Sequence, residues 1–296
     1  MSRPEHISPP ELFYNEKESN KYAQSSRMMQ IQSQISERAI ELLNLPSGKS
    51  GCLLLDIGCG TGMSGSVIEE HNHMWIGSDI SRNMLNVAVD NIKREESWGD
   101  VFENDMGTGL GLRPGLFDGA ISISAVQWLC YASHKNHIPK IRLKRFFQQL
   151  YASLRRGARA VIQLYPETPQ QMELITNSAM SCGFTGGVVV DYPNSAKAKK
   201  FYLCIFAGQQ QQLPHGLDDA AMESQQLFHG GSEFNKDTVD YEAARRSGKN
   251  KKRNRRETVA IKSKEWVMGK KDRQRKQGKE VKNDSKFSGR KRKGKF

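Results

Sequence analysis

A mostly parallel α/β sheet closed by an antiparallel hairpin is what this 296-residue sequence predicts, on three observations. Short runs rich in Leu, Ile and Val alternate with stretches whose apolar residues recur at spacings of three and four. One run, Leu53 to Ile57, carries an acid near its end and passes into Gly58, Gly60 and Gly62. That is the pattern of a buried strand turning sharply, so that backbone approaches a ligand at the N-terminus of the next helix. Near residue 190 the alternation stops and two strands follow each other across one loop.

In chain order, residues 1–10 read as a frayed start. From Glu11 to Leu45 the pattern is helical, with Met28, Ile31, Ile35, Ala39, Leu42 and Leu43 on one face, and Pro46-Ser47-Gly48 is the expected stop. The first strand spans Cys52 to Ile57 and leads through the glycines into a helix over about 63–71. Trp75 to Asp79 is a second strand and Arg82 to Lys93 an amphipathic helix. Val101 and Phe102 form a short third strand running into Asp105-Met106-Gly107. Phe117 to Ser124 is the fourth, with Ala125 to Cys130 opening a helix. A longer helix, Ile138 to Leu154, is expected to stop at Arg155-Arg156-Gly157. Strand five is Ala160 to Tyr165, a helix covers Glu173 to Cys182, and strands Val188 to Tyr192 and Phe201 to Phe206 form the hairpin.

After Gly208 the periodicity ends, and the expected organisation is 1–48 as a helical segment packed on the core, 49–208 as the α/β domain, 209–244 as a linker and 245–296 as a basic tail. The tail holds 23 Lys and Arg against 5 Asp and Glu, a net +18, whereas residues 1–244 hold 22 against 27. The basic character therefore belongs to the tail, which fits polyanion binding or nuclear import. Lys249 to Arg256 and Arg290-Lys291-Arg292-Lys293 both have the form of import signals. Five cysteines, an odd number without C-x-x-C spacing, indicate neither a disulfide framework nor a zinc ribbon. With no apolar leader and no run of about 18 apolar residues, a soluble, non-secreted protein is expected.

The glycine turn fits two cofactors. Gly58-x-Gly60-x-Gly62 suits S-adenosylmethionine (AdoMet), while Gly60-x-Gly62-x-x-Gly65 matches a dinucleotide fingerprint. Three acids following successive strands, Asp56, Asp79 and Asp105, favour the first. A dinucleotide site needs mainly the second acid and helix amides for a pyrophosphate, whereas AdoMet carries an amino group, a sulfonium and an adenine amine. Asp79 is accordingly assigned to the ribose hydroxyls, Asp105 with the Met106 backbone to the adenine edge, and the glycine turn with Asp56 to the methionyl end. A lone strand-end acid would read as a helix cap.

For the acceptor, Gln127 and Trp128 follow strand four at the mouth of the sheet. Trp128 is placed to stack on a base, with core packing as the competing reading, and Gln127 to bond its edge. An Asn-Pro-Pro-Tyr type motif, expected for amide or exocyclic amine acceptors, is absent. No nucleophile and base pairing stands out, and a purine ring nitrogen such as guanine N7 needs none, its lone pair being free. His71-x-His73 and His134-x-x-His137 lack partners at ligand spacing, so no metal is expected. Lys197, Lys199 and Lys200, in the hairpin loop, are candidates for gripping phosphates.

These residues stand in segments that resemble the eukaryotic methyltransferases acting on N7 of a guanine in small-subunit (18S) rRNA. They include Pro9-Pro10-Glu11-Leu12-Phe13-Tyr14, Leu55 to Gly62, Ile121 to Cys130, Gln163-Leu164-Tyr165-Pro166-Glu167 and Val190 to Leu203. In the tail, Gln277 to Val281 and Gly289 to Lys293 match as well. The glycine turn is shared by many methyltransferases, whereas the later segments are particular to this family.

The resemblance implies a Rossmann-like class I fold with a seven-stranded sheet, AdoMet as cofactor, and a nuclear role in pre-rRNA processing and small-subunit biogenesis. It also implies a heterodimer with a small zinc-binding activator subunit beside the third strand, where it would cover a sheet edge. Tyr22, Arg27 and Ile80 join the implied cofactor set, Tyr165 joins Gln127 and Trp128 in positioning substrate, and Arg290, Lys291, Arg292 and Lys293 join the hairpin lysines in binding RNA. One departure is Asn104, where the family usually has Gly before the adenine-contacting acid. The competing functional reading is an assembly factor whose AdoMet site is dispensable, and a nicotinamide-dependent oxidoreductase stands third.

Overall fold

Alternating side chains along seven strands divide the apolar residues between two faces of one sheet. The strands are β1 (Leu53–Ile57), β2 (Met74–Asp79), β3 (Asp100–Glu103), β4 (Phe117–Ile123), β5 (Leu154–Leu164), β6 (Phe184–Asp191) and β7 (Lys200–Ala207), in the order β3-β2-β1-β4-β5-β7-β6. All neighbours are parallel except β7, which pairs antiparallel with β5 and β6. The order reverses at β1, between β2 and β4, and a crevice opens there beyond the strand ends, where open α/β sheets bind ligands.

The computed structural model describes residues 3–46, 50–195, 198–208 and 211–218, with Met268 and Lys271. The chain divides into two units, Met1–Ala244 and Arg245–Phe296. Nearly all described residues belong to the first. Lys197, residues 290–293 and the tail's other basic runs lie outside them.

Helices α1 (Pro10–Phe13), α2 (Glu16–Gln24), α3 (Ser26–Leu43), α4 (Met63–Glu70), α5 (Arg82–Arg94), α6 (Pro139–Ser153) and α7 (Pro169–Met180) flank the sheet. Leu54, Trp75, Ile121 and Val161 pack with α3, α4 and α5, while Leu55, Ala120, Ile162 and Ile205 pack with α6 and α7. Each fully buried Leu, Ile or Phe contributes about 1.5–3 kcal/mol through removal from water.

Several elements differ from the sequence expectation, each for a local reason. The single N-terminal helical segment is three helices. Asn15 and Ser25 have extended backbone and cap the following helices, Oδ1 of Asn15 accepting from Glu18 N–H at 3.1 Å and Oγ of Ser25 from Met28 N–H at 3.4 Å. The start is not frayed over residues 3–10, because Arg3 donates to the Tyr165 carbonyl at 2.8 Å. Helix α6 ends at Ser153, and β5 follows at once because buried Leu154 takes extended backbone opposite Phe117, so Arg155, Arg156 and Gly157 lie within the strand. Helix α7 begins four residues early on the Thr168 cap.

Residues 211–218, expected in the linker, pack on the body. The buried Arg38 guanidinium pairs with Asp191 (Nε to Oδ2, 3.0 Å) and Glu41 and donates to the His215 carbonyl at 2.7 Å. Asp191 in turn accepts from Leu217 N–H, and Tyr192 N–H donates to the Leu217 carbonyl at 2.7 Å.

Candidate functional site

The turn after β1 is built by backbone bonds to the neighbouring strand. Gly58 and Cys59 N–H both donate to the Ser78 carbonyl, and Gly60 N–H donates to Asp79 Oδ2 at 2.9 Å. Gly58 has φ +75, and a Cβ there would stand 2.2 Å from Ala125 Cβ, so glycine is required by conformation and by space. Gly62, also left-handed, opens α4 with no side-chain cap. Gly65 lets α4 lie directly on Trp75, which a Cβ would meet at 2.2 Å.

Above the turn is a cleft, at the place where an open α/β sheet holds its ligand. Gly58, Gly60, Asp79, Ile80, Met106, Tyr22 and Trp128 from the sequence-derived set line it. Asp79 Oδ1 accepts from Ser81 N–H at 2.8 Å, which aims the carboxylate back at the glycines. Burial pushes Asp79 up, against the backbone N–H groups that hold its charged form.

Asp56 lies beneath the turn. It is fully buried, its Oδ2 accepts from Ser64 Oγ at 2.5 Å, and its Oδ1 has no hydrogen-bond partner among the described residues. Burial foremost, then the Asp79 charge, pushes it up to about 7 against the Ser64 hydroxyl. It is not among the residues that line the cleft. Two carboxylates raised by burial make the cleft a site where an added cation is stabilising.

Other expected residues fall outside the cleft. Asp105 lines an adjoining hollow with Ile80, Met106 and Trp128, its Oδ1 held by Arg142 Nη2 at 2.5 Å and by Gly107 N–H at 2.9 Å. Met106 and Asn104 take the lining positions. Asn104 Nδ2 donates to the Gly109 carbonyl, so its side chain ties the loop after β3. Arg27 is exposed on the first turn of α3, whereas Gln32 and Ser36, one and two turns further on, line the cleft. Gln127 is buried beside the mouth, and Tyr165 is half-buried with Lys200 Nζ 5.8 Å above its ring. Lys199 lies over the Phe201 ring at 5.4 Å. The histidines engage side chains: His71 Glu37, His134 Glu11 and His137 Arg142.

The part missed by sequence reasoning is the N-terminal strap. Residues 3–14 run across the mouth, and the Tyr14 carbonyl accepts from Ser81 Oγ, Ser19 Oγ and Asn83 Nδ2, fastening the strap to the turn after β2. Pro10 and Tyr14 line the cleft. The Trp128 indole sits 6.1 Å from the Tyr14 ring and 6.3 Å from Phe13, so it packs on the strap and faces the cleft at once. Burial first, then neighbouring charges, pushes the Tyr14 phenol well up and Tyr22 up to about 12. The run from Pro9 to Tyr14 was the only available signal, and its contacts span more than a hundred residues of chain.

A glycine cradle, one buried and one partly buried acid, and an aromatic wall suit a cationic, phosphate-free nucleoside cofactor. Comparison with known proteins points the same way. Residues 54–157 match a family model described as "Methyltransferase domain", and residues 205–294 match one described as "Methyltransferase involved in Williams-Beuren syndrome". The chain is 52% identical to the mouse (Mus musculus) 18S rRNA (guanine-N(7))-methyltransferase, over 99% of this chain and 98% of that one. It is 50% identical to a Dictyostelium discoideum protein named as a probable enzyme of the same kind, over the whole of both chains. With the Saccharomyces cerevisiae 18S rRNA (guanine(1575)-N(7))-methyltransferase it shares 42% identity, again over the whole of both.

Proposed function

The chain belongs to the family of 18S rRNA (guanine-N(7))-methyltransferases, and from that membership we propose the chemistry of its cleft: transfer of a methyl group from AdoMet to N7 of a guanine in small-subunit rRNA, in the course of small-subunit biogenesis. The observation that carries the reading is 42–52% identity over the full length to relatives of one named activity, in a chain whose glycine cradle and carboxylates Asp56 and Asp79 fit a cationic nucleoside.

Bound AdoMet supplies an electrophilic methyl on a cationic sulfonium. The turn at Gly58, Gly60 and Gly62 holds the methionyl end, with Asp56 compensating its charge from below. Asp79 with Ile80 takes the ribose, Asn104 and Met106 border the adenine, and Tyr22 closes the near side. No residue need remove a proton, since guanine N7 attacks with a free lone pair. The chain contributes orientation, which for a well-aligned pair is worth about 7–11 kcal/mol of barrier. Transfer would break the carbon–sulfur bond and pass the positive charge to the guanine, and the rings of Trp128 and Tyr14, which line the cleft, would stabilise it there.

The activity is tested by reductive cleavage at 7-methylguanine in rRNA from depleted cells complemented with wild type or Gly58→Glu. Cleavage restored by the wild type alone supports the reading, and an unchanged pattern on depletion removes it. Survival of processing and growth with Gly58→Glu would instead favour an assembly role.

The proposal extends to a small zinc-binding activator subunit and to action in the nucleus. Edge strand β3 bonds only to β2 among the described residues, and Trp98 beside it is 77% exposed. Such an edge is a liability that pairing removes. Loss of a co-purifying small zinc protein on Trp98→Asp would support that surface, and undiminished recovery would exclude it. Lys199 and Lys200, with Lys197 and the tail bases, are proposed to hold rRNA phosphates.

A further inference from the structure

Beside the cleft mouth, one carboxylate is held against the buried amide that follows β4. Glu5 lies in a short 3-10 turn, Pro4–His6, fixed on both sides: Arg3 donates to the Tyr165 and Pro166 carbonyls, and His6 Nε2 lies 3.0 Å from Glu167 Oε2. Glu5 Oε1 accepts from Gln127 Nε2 at 3.3 Å, and the same nitrogen donates to the Ser124 carbonyl at 2.9 Å. Since both neighbours are acceptors, the orientation of the amide is determined. Gln127 Oε1 is then an acceptor on a side chain 3% exposed, with no partner among the described residues. That oxygen is enclosed, so the amide serves the site through its Nε2, which fixes the position of the Glu5 carboxylate. The next residue, Trp128, lines the cleft, and the Glu5 charge is among those that raise the Tyr14 phenol in the same wall.

We propose that Glu5, held by Gln127, reads the Watson–Crick edge of the acceptor base and makes the site selective for guanine. The inference rests on the guanine-N7 reading and deepens it. Guanine presents two adjacent donors on that edge, N1–H and the N2 amine, and adenine presents an acceptor at N1. The two oxygens of one carboxylate satisfy the first and repel the second. Glu5 accepts from both N1–H and the amine through its two oxygens, and Gln127 Nε2 holds the carboxylate in place. No proton changes hands. As N7 gains its methyl, electron density leaves the ring and N1–H becomes a stronger donor, so its bond to the carboxylate strengthens in the transition state. An interaction of that kind accelerates the chemical step beyond its contribution to binding.

The test uses the full chain purified from its own cells with its accompanying subunits, tritiated AdoMet, and small-subunit particles from cells lacking the enzyme. Glu5→Ala is expected to lower kcat/KM about 100-fold, mostly in kcat, and Glu5→Gln about tenfold, because the amide keeps an acceptor but loses the charge. Glu5→Asp recovers part of the loss. AdoMet affinity, measured by calorimetry, stays within twofold and reports that each variant is folded. Transfer by Glu5→Ala within twofold of wild type overturns the proposal. So does a loss of AdoMet affinity with kcat intact, which would make Glu5 a latch for the strap. Failure of the wild type to methylate guanine N7 in these particles is a separate result, and it overturns the functional reading itself.

Discussion

Asp56→Asn isolates the electrostatics of the cleft floor. Asp56 is fully buried, one oxygen bonded to Ser64 and the other without a partner among the described residues, and its carboxyl is pushed from an ordinary 3.8 up to about 7, chiefly by burial. A group raised in the folded state contributes stability that is complete below its unfolded value and is lost as pH rises through the folded value. Three units at 1.36 kcal/mol each amount to about 4 kcal/mol, lost between about pH 4 and pH 7.

Asparagine keeps the shape and cannot ionise, so the variant lacks this loss. Urea unfolding of the cofactor-free chain at pH 5 and pH 8 should show wild type falling relative to Asp56→Asn by about 2–4 kcal/mol, and the comparison cancels other titrating groups. Bound AdoMet, being cationic, favours the carboxylate, so its binding near pH 6.5 should release protons from wild type and fewer from the variant. That is readable by calorimetry in buffers of different ionisation heat. A wild-type-to-variant difference that does not change with pH would refute the reasoning.

Gly58→Ala forces a side chain onto a left-handed backbone and against Ala125, and it should reduce AdoMet affinity by at least tenfold in calorimetry. Arg38→Met strands the buried Asp191 and should cost about 3–5 kcal/mol in thermal or urea unfolding, with Arg38→Met/Asp191→Leu recovering most of it. Removing residues 245–296 takes away a net +18. RNA affinity should fall and its dependence on salt flatten in filter binding, with AdoMet affinity unchanged.

Much of the fold was legible because it is written locally. Apolar runs of strand length, helical spacing and a glycine turn report what each segment buries, so strand number, the parallel core and the hairpin follow from sequence alone. The same holds for the positions of Gly58, Gly60 and Asp79 at the cleft, which depend on a strand, a turn and the strand beside it. Where the local signal misled, a neighbour had overridden it. Leu154 to Gly157 look like a helix stop, yet Leu154 pairs with Phe117 and β5 begins there.

Sequence by itself thus determined the kind of fold, the cofactor class and, through segments far from the turn, the family. Only the tertiary structure decided which residues touch. It set Asp56 beneath the cradle, turned Asp105 toward Arg142, left Arg27 in solvent, and drew the strap across the mouth so that Glu5 meets Gln127 from 122 residues away. The physical reason is range. Backbone geometry and periodicity depend on residues a few positions apart, whereas the direction of a carboxylate and the partner of a buried amide are set by whatever the folded chain places beside them.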